Sequence, residues 1–468
     1  MAQVTLHKAR RVLRVCLVFA VLYIGYRLTL RWMIEAKLSE IRKQGCPVTL
    51  AELNSWYSTA PLTANVASEY MRAFARCNRS WGTNTLSQSA LAVTNSWPYW
   101  IGQVWMQRQL LPVIGMLTLP ASGPPLPRAL RQPLAEYISD YQETLGMLHS
   151  VPPTAGCRYP IDFRRWFEDE NDHLTSLRCC ADLLRLEIVN GVENGDVQST
   201  VDSFAALGTL ARSLKDEPRD LSVHVRAHVE EDAVYTLQRA LNRLVFRDTQ
   251  LSELDAVLKQ LEADEQIRPA IVGQRCMANE AYRTDPWLMK TVITNLSSPP
   301  RRTRSSELPF WGRAFNTALR VSGLVDMDWL MYLRVTEMNL TAAELPFPQR
   351  LEQIEDSKPG IVYGLTHYFS RILFNEQHWM VQREARTASW IRCARAALAI
   401  ERRRIATGEL PSLSAEIPSQ LFAESDPFTG RPLRFKKLAT GYTVYSIGRD
   451  AVDDGGDGKK DITFTVER

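Results

Sequence analysis

Residues 450–461 read Asp450-Ala-Val-Asp453-Asp454-Gly-Gly-Asp457-Gly-Lys-Lys-Asp461, five aspartates in twelve residues. Packed closely, such carboxylates repel one another unless a cation sits among them. The interspersed glycines let the chain wrap, so that carboxylates and backbone carbonyls can face a hard ion such as calcium. The spacing is not that of an EF-hand: counted from Asp453, Gly455 takes position 3 and Phe464 takes position 12. It is not a nonapeptide β-helix repeat either, because the aspartate due at 460 falls at 461. An acidic solvated turn is the other reading of the same residues.

Two further groups have chemistry-bearing side chains. His224 and His228 stand four apart, so a helix would place both imidazoles on one face, with Glu231 near the same stripe. Val225 occupies the place of the glutamate in HExxH, and no third histidine follows nearby. The run Glu168-Asp169-Glu170-Asn171-Asp172-His173 could supply an acid/base pair, or place acids in the first turn of a helix, where the macrodipole favours them. No GxSxG, Walker A loop, GxGxxG or Cys/His signature occurs, so catalysis has no specific motif behind it. Seven cysteines follow residue 45 without CxxC spacing, which excludes a zinc ribbon and a small disulfide framework.

The elements that must carry these groups are mainly helical. From about residue 48 to 407 apolar residues recur at intervals of three and four. Helices are expected over 50–57, from a Thr63 cap to 77, over 128–149, 172–190, 197–214, from Pro218 onward, over 253–263 behind a Ser252 cap, and over 375–407. The pair 172–190 and 197–214 reads as an αα-hairpin. Residues 80–96 and 118–127 read as loops, and the basic 299–304 run as a solvated linker. No repeat period emerges, so the body is an irregular solenoid or a bundle. Trp56, Trp81, Trp97, Trp100, Trp105 and Trp166 crowd the first third of the chain and are expected in the core. After Gly408 the period changes to two. Residues 432–435, 442–447 and 461–466 read as three antiparallel strands, with Ala396, Ala397, Ile400 and Ile405 of the preceding helix covering one face.

Composition places the chain. It has 468 residues, 45% hydrophobic and 23% charged, which argues against disorder and against a polytopic membrane protein. The net charge of +4 is too small to argue for nucleic acid, and no aromatic platform accompanies the 299–304 run. Residues 1–45 hold nine Lys/Arg against two Asp/Glu, a net of +7, while the rest holds 47 against 50, a net of −3. Within that basic end, residues 12–30 are apolar except for Arg14, Arg27 and Thr29. At ~1.5 Å per residue they reach about 28 Å, near the thickness of a bilayer's hydrocarbon. The uninterrupted core, 15–26, is shorter; Arg14 and Arg27 can snorkel, and Tyr23, Tyr26 and Trp32 suit an interfacial belt. Tyr23-Ile-Gly-Tyr-Arg27 is a poor signal-peptidase site, so an uncleaved signal-anchor is expected. Basic residues flank the span almost equally, four before and five after.

The C-terminal pattern resembles a known family. Ile405-Ala-Thr-Gly-Glu-Leu-Pro, Asp426-Pro-Phe-Thr-Gly-Arg-Pro-Leu-Arg-Phe435, Tyr445-Ser-Ile-Gly-Arg-Asp450, Gly455-Gly-Asp-Gly458 and Asp461-Ile462 follow in order. They are similar to the C-terminal half of the major pseudopilin of type II secretion. The likeness covers about 75 residues, roughly one sixth of the chain, set against an ordinary domain of ~100–150 residues. It implies a small α+β module holding calcium through Asp450 and Asp461, then Asp453, Asp454 and Asp457, with nearby carbonyls. Phe428 stands where that family has Trp, and the stretch from Gly458 to Asp461 is one residue shorter. The N-terminus lacks that family's Gly processing site followed by Phe-Thr-Leu-x-Glu, so a processed pilus subunit is not expected. The whole layout also resembles a group of bacterial membrane-anchored proteins, which implies architecture alone.

Three units are therefore expected: a tail, membrane anchor and juxtamembrane helix over 1–45, a helical body over 46–385, and a pseudopilin-like α+β module over 386–468. The expected function is a single-span envelope scaffold in a bacterial inner membrane, near secretion machinery. Its body would be periplasmic, bind envelope protein partners and carry a calcium-stabilised end, with no catalytic site. The alternative is a periplasmic hydrolase using the His224/His228 face or the 168–173 acids.

Overall fold

A computed structural model describes residues 2–59, 64–81, 125–126, 128–168, 171–263, 267–288, 309–357, 367–410 and 425–467. Of the loop expected over 80–96, residues 80–81 instead end a helix; 82–96, 299–304, most of 118–127, the Thr63 cap, Trp97, Trp100, Trp105, Asp169 and Glu170 lie outside the described residues.

The chain opens with one 42-residue helix, α1 (Ala2–Lys43). From Leu13 to Leu28 its large apolar side chains are exposed, Leu13, Phe19 and Leu22 each by more than 60%. From Leu30 onward one face is buried: Leu30, Ile34, Leu38 and Ile41 recur at helical spacing and enter the core. The first half is long and apolar enough to cross a membrane, and the second half is the first helix of the body.

The body follows as α2 (Leu50–Thr59), α3 (Ala67–Trp81), α4 (Arg128–Asp140), α5 (Gln142–His149), α6 (Asp172–Asn194), α7 (Val197–Arg212), α8 (Asp220–Arg243), α9 (Asp248–Ala263) and α10 (Ile267–Arg283). After it come α11 (Phe310–Ser322), α12 (Leu324–Ala342), α13 (Gln349–Asp356) and the 40-residue α14 (Tyr368–Thr407). Local chemistry sets several ends. Thr49 Oγ1 caps α2 by accepting from the Glu52 amide at 3.1 Å, while the Glu52 carboxylate accepts from the Val48 amide, one residue before the cap, at 2.8 Å. Asn65 accepts from the Ala67 amide and starts α3. The hairpin α6–α7 turns on Gly195 in the left-handed region (φ 73°), and Asp196 caps α7 through the Ser199 amide. The single helix expected over 128–149 is divided at Tyr141.

Packing is bundle-like rather than solenoid-like. The long α8 and α14 pack on each other; α6, α7 and α10 pack on α8, and α9, α12 and α13 on α14. These contacts reach well beyond neighbours in sequence. Trp166 is buried and Trp56 half-buried, in line with a core role for both. In the same interior the Cys180 thiol lies 3.5 Å from that of Cys77.

At the C-terminal end, β1 (Arg434–Leu438), β2 (Gly441–Ser446) and β3 (Ile462–Glu467) form the expected antiparallel sheet in the order β1-β2-β3. Tyr442, Val444, Phe464 and Val466 join one core with Ile391, Ala397 and Ile400 of α14, and with α6 to α9. Ile405, expected over the sheet, is instead 49% exposed. The Tyr442 hydroxyl lies 3.0 Å from Glu401 Oε1. On α8, Asn242 donates to the Thr465 carbonyl and accepts from the Glu467 amide, capping the free edge of β3. Helix α14 runs without a break through residue 386, so the sheet and the body are continuous across the expected boundary.

Candidate functional site

The histidine stripe on α8 forms as expected, but its members meet three different partners. His224 Nε2 lies 2.7 Å from Glu376 Oε1 of α14. Glu231 takes Arg383 Nη2 at 2.6 Å. His228 Nε2 is 3.5 Å from Asp232, which also holds Arg185 at 2.9 Å. Among the described residues no group of three or more His, Cys, Asp and Glu side chains is placed to hold a metal ion. The arrangement is a ladder of helix-to-helix ion pairs between α8 and α14 and between α8 and α6.

Burial dominates the titration of that ladder. It pushes Glu231 up to about 7 against the pull of Arg383, and Asp182, beside Arg185, up to about 6. Burial likewise takes Asp220 to about 6. At His224 burial opposes the charged ring, yet the hydrogen bond and charge of Glu376 carry its pKa upward. At His228 burial prevails and the pKa falls. The three carboxyls hold protons in the folded chain that the unfolded chain releases. Their stabilisation is complete below the ordinary values of 3.8 and 4.5 and is lost as pH rises through about 6 and about 7. His224 acts in the same sense and His228 in the opposite one. Thermal melting should therefore show the chain more stable near pH ~5 than near pH ~8, by on the order of 1–3 kcal/mol, and Glu231→Gln should shrink that difference.

The acids near 168 do line a cavity. A cleft of about 460 Å³ is bounded by Asp162, Arg165, Glu168, Asp172 and His173, with Tyr159 at its wall. His173 Nε2 sits 3.0 Å and 3.1 Å from the two oxygens of Glu217, and its ring centroid is 5.2 Å from that of Tyr159. Ser222 donates to Glu217 at 2.6 Å. Burial works against the Glu217 carboxylate, but His173, Arg219 and Ser222 together hold its pKa below the usual value. This is a positioned histidine with a buried carboxylate behind it, an arrangement suited to proton transfer. No serine, threonine or cysteine lines the cleft among the described residues, and nearby Cys157 is pushed up to about 12 by burial. His224 and His228 are not part of it. Spacing does not reveal Glu217, which lies 44 residues from its histidine.

The aspartate loop joins β2 to β3, and its charges are answered mostly from within. Asp453 pairs with Arg434 of β1 at 2.9 Å and takes the Tyr445 hydroxyl and the Gly455 amide. Asp454 pairs with Lys460 at 2.6 Å. Asp450 and Asp457 accept from the amides of Val452 and Lys459. Asp461 is 5% exposed; its Oδ2 accepts from the Gly456 amide at 2.7 Å, while its buried Oδ1 has no hydrogen-bond partner. Gly455 and Gly456 take φ of 72° and 80°, which lets the loop fold back over Tyr445. Beside the loop, Asp426 accepts from the amides of Phe428 and Ile447, tying the Asp-Pro-Phe-Thr-Gly turn to the end of β2. Arg434 is the partner that spacing could not supply, since it comes from the neighbouring strand.

No family model, curated protein or solved structure matches the chain.

Proposed function

We propose that the chain is a single-span bacterial envelope scaffold, held in the inner membrane by α1, with a periplasmic helical body that binds partner proteins, near secretion machinery. The observation that carries this reading is the continuity of α1. Its exposed apolar half leads without a hinge into a half buried in the body, so the body is held rigidly at the membrane surface. A contiguous exposed apolar surface of this size suits lipid far better than water. The paired state of the α8 side chains favours structural roles over catalysis there.

The calcium reading belongs to the same proposal. Asp450, Asp453, Asp454, Asp457 and Asp461 would hold the ion after drawing together, since no three of them converge among the described residues. The unsatisfied, buried Oδ1 of Asp461 fits a ligand oxygen. Arg434 and Lys460 would have to turn outward, because they already meet two of the five carboxylates. For the full chain, calcium at ~100-fold over its dissociation constant should add about 2.7 kcal/mol of stability, a gain that Asp461→Asn removes. Identical melting with calcium and with chelator would end the calcium reading.

A hydrolase is the second reading, favoured by the His173–Glu217 pair at the cleft. Cross-linking in membranes followed by purification of the full chain separates the two. A scaffold yields a partner at fixed stoichiometry, with cross-links on the body, and His173→Gln leaves it unchanged. No partner, together with a hydrolytic activity that His173→Gln abolishes, would replace the scaffold by the hydrolase.

A further inference from the structure

We propose that α11 is a second membrane contact, lying in the headgroup boundary of the leaflet from which α1 emerges. Phe310, Trp311, Ala314, Phe315, Ala318 and Val321 fall within one arc of this 13-residue helix. The four large members are exposed by 66%, 80%, 58% and 57%. The opposite side faces the body through buried Asn316 and half-buried Leu319. At ~1.5 Å per residue the helix spans about 20 Å, too short to cross hydrocarbon and suited to lying in the plane of the interface.

Its occupant follows from its attachment. The Tyr23 hydroxyl donates to the Val321 carbonyl, and Arg27 donates to the Arg320 carbonyl and pairs with Asp326 at 2.7 Å. The turn after α11 is pressed onto α1: a Cβ added at Gly323 would lie 2.9 Å from the Tyr26 ring. Tyr23 belongs to the uninterrupted apolar run of α1. The inference rests on the reading that this run crosses the membrane, and then the end of α11 must stand at the depth of the span's last turn. Its apolar face is therefore continuous with the lipid-facing surface of α1. Beside it, a cleft of about 390 Å³ is lined by Arg27, Arg31, Arg283 and Arg320, against Glu35 and Asp326. Four guanidinium groups against two carboxylates complement the phosphates of anionic headgroups. The partner is thus a phospholipid leaflet rather than a second copy of the chain.

Acyl-brominated anionic vesicles carrying the full chain test this, with Trp311→Phe as the variant, a conservative change at an exposed position. Flotation at alkaline pH first reports whether α1 is integral. Expected is a chain that floats with the vesicles, whose tryptophan emission the bromines quench, and a loss of the Trp311 share of that quenching in Trp311→Phe. Trp32, also exposed near the interface, contributes equally to both proteins. A chain that floats but is quenched identically in wild type and variant overturns the α11 contact alone, as does a cross-linked second copy covering this face. A chain that fails to float removes the reading of α1 and the α11 contact together.

Discussion

Gly273→Ala should strongly destabilise the body. Gly273 lies in the middle of α10, and a Cβ there would stand 1.8 Å from the carbonyl oxygen of Pro218 and 2.8 Å from its carbon. Both are backbone atoms, so no rotamer change relieves the overlap; the Pro218 segment that leads into α8 must move away from α10. The residues around it on α10, Ile271, Val272, Cys276 and Met277, are essentially inaccessible, and the separation would loosen all of them. A cost beyond ~4–5 kcal/mol is expected, a large part of the ~5–15 kcal/mol that holds an ordinary domain together. Gly146→Ala, at an exposed position of α5, is the matched control: nothing lies within 4 Å of its added methyl. Helix propensity there predicts a gain of roughly 0.5–1 kcal/mol. Urea melts of the two variants check both signs. Equal stabilities would mean that the close crossing of α10 over Pro218 is wrong.

The second large effect is expected at Glu193. Its carboxylate, 2% exposed, meets Arg239 at 2.8 Å, Arg131 at 3.1 Å and Arg243 at 3.4 Å, and accepts from the Leu126 amide at 2.9 Å. One acid thus ties the end of α6 to α4 and α8. Glu193→Ala removes the carboxylate that meets the Arg239 guanidinium, which is only 3% exposed. Removing one partner from a buried ion pair costs ~3–5 kcal/mol, because the remaining charge stays in a poorly solvating interior. Glu193→Gln retains an acceptor for the Leu126 amide and should fall between wild type and alanine. Chemical denaturation of the three proteins measures the order, and an alanine variant within ~0.5 kcal/mol of wild type would contradict the role assigned to this acid.

What the sequence disclosed depended on how local each signal was. Helical spacing in α6 and α7 with Gly195 between them, and alternation in β2 and β3, are encoded within a few residues and emerged close to their structural bounds. The second half of α1 is expected as a juxtamembrane helix, but its stripe from Leu30 to Ile41 is buried by partners distant in sequence, so spacing does not reveal that it belongs to the body. Glu193 lies beyond the expected helix end at 190, yet it is helical, and the arginines that fix it come from α4 and α8. At the sites the same rule holds. The two histidines of α8 do share a face, but spacing is silent about Glu376 and Arg383, which divide that face into separate pairs. The five aspartates were plain, whereas Arg434 arrives only through strand pairing.

The central claim is that α1 is at once a membrane span and the first helix of the body. Alkaline carbonate extraction of membranes containing the full chain tests it most directly, with Leu17→Asp/Phe19→Asp/Leu22→Asp as the comparison. These three side chains are exposed on the first half of α1 and touch none of the body's core. The wild-type chain should remain in the membrane pellet, and the triple variant should appear in the supernatant with an unchanged melting transition. Release of the wild-type chain as a folded, soluble protein would contradict the account.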